Sequence, residues 1–179
     1  MEDLFKYLNE SNDAVLIRTA LMHLEFEALH PFKDGNGRIG RMLITLYLWS
    51  TESISAPHFY ISGYMEEHKG EYIDTMRKVS SDGNWEDWCN FFFKASEEQA
   101  LKNIQIAESI KQLYEEMKSV FADTLSSKWS VNALDFIFAN PIFRNNRFTS
   151  ASGIPAPTAS RFTRLLLDRN IIRMIKDAS

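Results

Sequence analysis

NDAVLIRTALMHLEFEALHPFKDGNGRIGRMLITLYL, residues Asn12 to Leu48, is the stretch whose reading decides the fold. After Asn12 and Asp13, either of which suits a helix N-cap, apolar residues recur at Val15, Leu16, Leu21, Met22, Leu24 and Phe26, with Ala14, Ala20 and Ala28 between them. That pattern predicts a helix packed on more than one side. Pro31 and the run Asp34-Gly35-Asn36-Gly37 end it in a tight polar loop. A second apolar helix then starts near Arg38 and runs through Met42, Leu43, Ile44, Leu46, Tyr47 and Leu48. The local architecture is helix, loop, buried helix.

The loop concentrates chemistry. Glycines on both sides of Asn36 let backbone N–H groups converge without Cβ obstruction, and the chain runs from there into a helix N-terminus, where unpaired N–H groups and the helix dipole favour an anion. Arg38 and Arg41 stand three residues apart on that helix, and each is suited to paired hydrogen bonds with phosphate oxygens. Gly35 through Gly37, Arg38, Ile39, Gly40 and Arg41 thus form one candidate phosphate-binding segment for a di- or triphosphate. Asp34 supplies a hard oxygen beside it, the way Mg²⁺ is usually held, with substrate oxygens and water completing the shell. His30, at the mouth of the loop, is a candidate general base for an attacking hydroxyl. Taken singly, His-Pro is a helix terminator, Asp-Gly-Asn-Gly a turn, and two arginines a solvated face; together they put base, metal ligand and phosphate clamp within twelve residues.

Outward from this segment, Ser53 to Ile61 reads as extended or irregular. Ser62 is placed to cap a helix stopped at Gly83. Another helix opens at Trp85 and carries an apolar stripe at Ile106, Ile110, Leu113, Met117 and Val120, which suits a core or a partner-helix seam. After Ser126-Ser127-Lys128 the pattern changes. Val131–Ala139, Phe148–Ile154 and Thr158–Asp168 read as short helices, and Ile171–Ile175 alternates like a strand. Three helices and a strand, with Gly153 in the turn before the last helix, suggest a winged helix-turn-helix. The reading is therefore mainly α, with a helical core over 1–125 and a winged helix-turn-helix-like domain over 126–179.

The net charge of −4 conceals an asymmetry: residues 1–125 hold 12 Lys and Arg against 21 Asp and Glu, and residues 126–179 hold 8 against 3. The first part is a poor nucleic-acid binder, whereas the basic tail, with Arg161 and Arg164 on its last helix, is a candidate for weak DNA binding or for protein interaction. The single cysteine, Cys89, rules out an internal disulfide and suits core packing. With no long apolar run and no basic-then-apolar start, the chain reads as cytoplasmic and free of the membrane.

The order His30-x-Phe32-x-Asp34-Gly35-Asn36-Gly37-Arg38-x-x-Arg41 matches the signature of the Fic family at every fixed position. The stretches from His58 to Tyr72 and from Gly83 to Trp88 are similar to the downstream part of Fic proteins that carry a C-terminal winged helix. The resemblance implies a Fic helical core and a protein adenylyltransferase, a nucleotidyltransferase that uses ATP with Mg²⁺ or Mn²⁺. In that role His30 would be the base for a Ser, Thr or Tyr hydroxyl of an unknown target protein or of the chain itself. Asp34 would hold the metal, Gly35 to Gly37 would bind phosphate oxygens, Arg38 and Arg41 would clamp the outer phosphates, and Phe32 would be a buried anchor. Gly37, where phosphoryl-transferring relatives have Lys, favours AMP transfer. Tyr72 and Trp85 are candidates for an adenine-stacking wall, with core packing the alternative for both. Removal of AMP by the same site, a non-catalytic nucleotide-sensing regulator, and a homo-oligomer are the competing or additional expectations. The family's inhibitory pattern, Ser/Thr-x-x-x-Glu-Gly/Asn, has no match, and a chain starting at Met1 is expected to lack the upstream inhibitory helix and target-aligning flap. By the same reading the wing, ending at Ser179, is partly truncated.

Overall fold

A computed structural model describes residues 2–175. The described residues form helices and connecting segments with no strand among them, so the fold is mainly α. They divide into two compact units, Met1–Gln105 and Ile106–Ser179.

The first unit opens with α1 (Glu2–Glu10), which the sequence pattern does not announce; Glu2 and Asp3 in its first turn complement the positive end of the helix dipole. The next helix, α2 (Val15–Leu29), starts later than Asn12 or Asp13. The Asp13 carboxylate is already engaged, accepting from the Tyr7 hydroxyl (2.7 Å) and the Ser11 hydroxyl (2.8 Å), and Ala14 takes the N-cap position without a side-chain hydrogen bond. Next comes α3 (Asn36–Ser50), packed against α2. The expected irregular stretch up to Ile61 is fastened to α3 by the Thr45 hydroxyl, which donates to the Phe59 carbonyl.

The helix expected between Ser62 and Gly83 is two helices, α4 (Ser62–Glu67) and α5 (Lys69–Asp82), and Ile61 rather than Ser62 is the N-cap. His68 leaves helical geometry between them, at φ −113° and ψ 33°. Its ring stacks on Tyr64 with centroids 4.0 Å apart, and its Nδ1 lies 3.1 Å from the Tyr64 carbonyl oxygen. Gly83, at φ 67°, terminates α5 in the left-handed conformation that costs glycine least. Then α6 (Trp85–Leu125) runs unbroken for 41 residues. Its first turns close the core: Trp88, Phe91, Phe92 and Ala95 bury against Ala20, Leu24, Ile44, Ile61 and Met65, and Trp88 Nε1 donates to the Ala20 carbonyl at 3.0 Å. Cys89 is half-buried beside this core, where burial pushes its thiol pKa up. Farther along α6, Ile106, Ile110, Leu113 and Val120 of the apolar stripe are exposed.

The second unit has its own core. Phe121 and Leu125 of α6 bury with Ala133, Leu134 and Phe136 of α7 (Ser130–Ala139), Phe148 of α8 (Asn145–Ala151), and Ala159, Phe162 and Leu166 of α9 (Ala156–Asp168). The division between units therefore falls inside α6, because its last turns belong to this core. Three short helices do follow, but α8 begins and ends three residues earlier than the expected Phe148–Ile154 and α9 begins two residues before Thr158, which leaves Gly153, at φ 71°, in the turn between them. The expected strand at Ile171–Ile175 does not form. The N–H groups of Ile171 and Ile172 turn back to the Leu166 carbonyl (2.9 and 3.3 Å), closing the end of α9. A strand would need a neighbouring backbone to take those donors. The end of the expected wing, up to Ser179, lies outside the described residues.

Candidate functional site

His30 is the C-cap of α2 and has φ 44° and ψ 54°. A left-handed conformation is uncommon for a residue with a side chain, and its persistence here requires that the surroundings hold it. Its own N–H closes the helix on the Phe26 carbonyl at 3.2 Å. Four residues of loop follow before Gly35, at φ 84°, caps α3. The loop is clamped from within. Asn36, 2% exposed, accepts from the Phe32 N–H through Oδ1 (2.9 Å) and donates through Nδ2 to the Phe32 carbonyl (2.6 Å). Phe32 itself is 49% exposed, its ring tilted against Phe26 at 6.4 Å. The expectation of a buried aromatic anchor is corrected: the Phe32 backbone is anchored, by the buried amide of Asn36, and the ring stays at the surface.

The first intrahelical bond that α3 receives is from Ile39 N–H to the Gly35 carbonyl at 3.0 Å. The N–H groups of Asn36, Gly37 and Arg38 precede it and have no carbonyl four residues back to bond, which leaves them for an anion. Gly35 differs from the expectation, since its N–H already donates to Asp34 Oδ1 at 2.7 Å. The two arginines flank the glycines. A Cβ built on Gly35 would lie 3.6 Å from Arg38 Nη2, and one on Gly37 would lie 3.2 Å from Arg41 Nη1. Arg38 also reaches Asp34 Oδ2 at 3.7 Å, but these side chains are 78% and 95% exposed, so the pair is weak and easily exchanged for a ligand. Among the described residues no cluster of three metal-ligating side chains exists. Asp34 alone fits an ion that takes one carboxylate and draws its other ligands from phosphate oxygens and water.

Beneath the loop lies a buried group that the motif does not announce. His23, fully buried on α2, holds its Nε2 2.9 Å from the Tyr72 hydroxyl. Its Nδ1 lies beside the Gly40 backbone without an aligned hydrogen bond. Desolvation drives its pKa down to about 4; the Gly40 carbonyl opposes this weakly, and the Arg41 charge adds to it. Glu27 sits one turn before His30, with Oε1 buried and unpartnered among the described residues. Burial pushes its pKa up, against the nearby charges of Arg41 and His30.

Tyr72, expected at an adenine pocket, is 8% exposed, with its ring among His23, Trp88 and Phe91. Desolvation first, and the Glu27 charge second, raise its pKa. That is the environment of a core aromatic, with no ring face open to a base. Trp85 is partly exposed on the first turn of α6. An open cavity of about 450 Å³ lies instead between Leu24, Glu27 and Ala28 of α2 and Ile73, Met76 and Ser80 of α5. Neither Tyr72 nor Trp85 lines it. Its α5 residues recur three and four apart, a spacing that reads as an ordinary buried helix face until the cavity is seen.

The sequence profile of the Fic/DOC family matches residues 1–48, which hold α1, α2, the loop and most of α3. The chain is also similar to a "Probable protein adenylyltransferase" of Aquifex aeolicus (strain VF5), at 27% identity over 124 residues. That alignment covers 59% of this chain and 38% of the relative, so the chain spans well under half of that protein's length. By the profile match, and with every fixed position of the signature in place, the segment 1–48 that carries the loop matches the Fic/DOC family.

Proposed function

We propose that this chain is a protein adenylyltransferase, moving AMP from ATP to a Ser, Thr or Tyr hydroxyl of a target protein. The observation that carries this reading is the convergence, over Gly35 and Gly37, of two guanidinium groups on a helix N-terminus whose first N–H groups are unspent, with His30 fixed at the loop's mouth. The N–H groups of Asn36, Gly37 and Arg38 would receive phosphate oxygens, and Arg38 and Arg41 would hold the outer phosphates. His30 would take the hydroxyl proton as the oxygen forms its bond to the α-phosphorus. The bond from that phosphorus to the bridging oxygen breaks, and pyrophosphate leaves. Asp34 would hold Mg²⁺ or Mn²⁺, whose chemistry is to neutralise phosphate charge. The cavity between α2 and α5, within the usual range of about 300–1,000 Å³ for small-molecule sites, is where we place the nucleoside.

The test is incubation with α-labelled ATP, Mg²⁺ and a cell lysate, followed by detection of AMP covalently bound to protein. His30→Ala should lower label transfer about 10²- to 10⁴-fold while ATP binding persists. Undiminished transfer by that variant would remove His30 from the mechanism, and label transferred from the γ position instead would point to phosphoryl transfer. An intact base beside a phosphate cradle favours this reading over a purely nucleotide-sensing regulator, which needs no proton acceptor there.

A further inference from the structure

Glu27 is the one buried carboxylate oxygen without a donor among the described residues, and nothing in the motif assigns it a task. It comes from the last turn of α2 and lies against the glycine face of α3. A Cβ on Gly40 would stand 2.3 Å from Glu27 Oε1, so residue 40 has room only for hydrogen while that carboxylate is in place. A Cβ on Gly37 would stand 3.9 Å from the same oxygen and 3.2 Å from Arg41 Nη1. Two groups that close to one point are no more than about 7 Å apart, a distance over which opposite charges in a partly buried setting still attract. Arg41 makes no ion pair among the described residues; in place of a contact, the carboxylate on α2 supplies the field in which the guanidinium sits. Without that charge, a long side chain on the surface of α3 would gain by turning to solvent.

We propose that Glu27 is a positioning residue for Arg41, an anionic anchor that holds the guanidinium above Gly37, where the outer phosphates of a nucleotide would lie. Gly40 is part of the device, because it leaves the space the carboxylate occupies. This rests on the nucleotide reading of the loop and adds to it how the second arginine is aimed. It also separates the two arginines: Arg38 is oriented by exposed Asp34 at 3.7 Å, a partner that a metal ion would compete for, whereas Arg41 is oriented by a carboxylate whose Oε1 is buried.

The experiment is calorimetric titration of the whole chain with Mg·ATP and with AMP, using Glu27→Gln, Arg41→Ala and the double variant, each checked for an unchanged melting temperature. Glu27→Gln removes the charge and keeps the shape, so that the wall Glu27 gives the cavity stays in place; it should weaken ATP about tenfold and AMP by a clearly smaller factor, and should add nothing when Arg41 is already Ala. Gly40→Ala leaves every charge present, displaces the carboxylate and also presses on the buried His23 ring, 3.2 Å from the added Cβ; where its melting temperature is unchanged it should give the same loss selective for ATP, and it serves if the Glu27 variant does not fold. Equal losses for ATP and AMP, additive losses in the double variant, or tighter ATP binding would each overturn the proposal; the last would make Glu27 a competitor of phosphate. If the unaltered chain binds no Mg·ATP, the nucleotide reading fails and takes this one with it. Binding with an additive cycle sinks only the role of Glu27.

Discussion

At the scale of single residues, the buried His23 gives the protein a pH dependence of definite sign. Burial holds its pKa in the folded chain at about 4, below the ordinary histidine value of 6.5. As pH falls below 6.5 the unfolded chain takes up a proton that the folded chain refuses, so the stability this histidine contributes is present above that pH and lost progressively down to about 4. At pH 5 the loss should reach about 2 kcal/mol. Urea unfolding at pH 7 and pH 5 checks it: His23→Gln should flatten the difference between the two pH values, even though it lowers stability at pH 7. How much of the site could be read in advance divides along the same line. The proximity of Arg38 to Asp34 and of Arg41 to Gly37 is legible in the sequence because their spacing along one loop and helix already puts them together. Glu27 is not, because its meaning lies in what α3 brings across to it, and on α2 alone it is one acid on a helix face. For Tyr72 the sequence leaves an adenine-stacking wall and core packing both open, and in the fold its hydroxyl lies 2.9 Å from Nε2 of the buried His23.

At the scale of elements, helices announced themselves wherever an apolar period met a glycine or proline stop. Gly83 is the clearest instance. At φ 67°, with its N–H bonded to the Val79 carbonyl at 3.0 Å, it ends α5 at the expected residue. A Cβ there would meet nothing within 4 Å, so Gly83→Ala isolates the backbone cost; it should destabilise the chain by about 1 kcal/mol, read as a shift of the urea midpoint with unchanged slope. The break at His68 was not legible because it depends on a ring stacking back on Tyr64, a choice that no local propensity encodes. The strand at Ile171–Ile175 failed for the opposite reason. Alternation records only that a segment could line a sheet, and a sheet needs a second strand to supply the hydrogen bonds.

At the scale of the whole molecule, the charge asymmetry and the change of pattern after Ser126 suggest two parts, whereas the compact units of the fold meet inside α6, between Gln105 and Ile106, each with its own core. Every residue assigned to the site lies in the first unit. A fragment of residues 1–105 should therefore fold and bind Mg·ATP within about threefold of the whole chain, checked by circular dichroism and calorimetry; a fragment that folds yet has lost affinity would show that the site draws on the second unit. The helix that both cores share has a further consequence. From Leu101 to Leu113 nearly all of its residues are exposed, and the residues that pack it into the two cores lie on either side of that stretch, Tyr114 and Met117 being the first of the second core. An isolated stretch of that length is marginal in water, so these turns persist by propagation from either end and not by packing of their own. Their amides should exchange with solvent deuterium well before those of Trp88 or Phe121, and a protease should find its first cut there, leaving each core whole on its own side of the break.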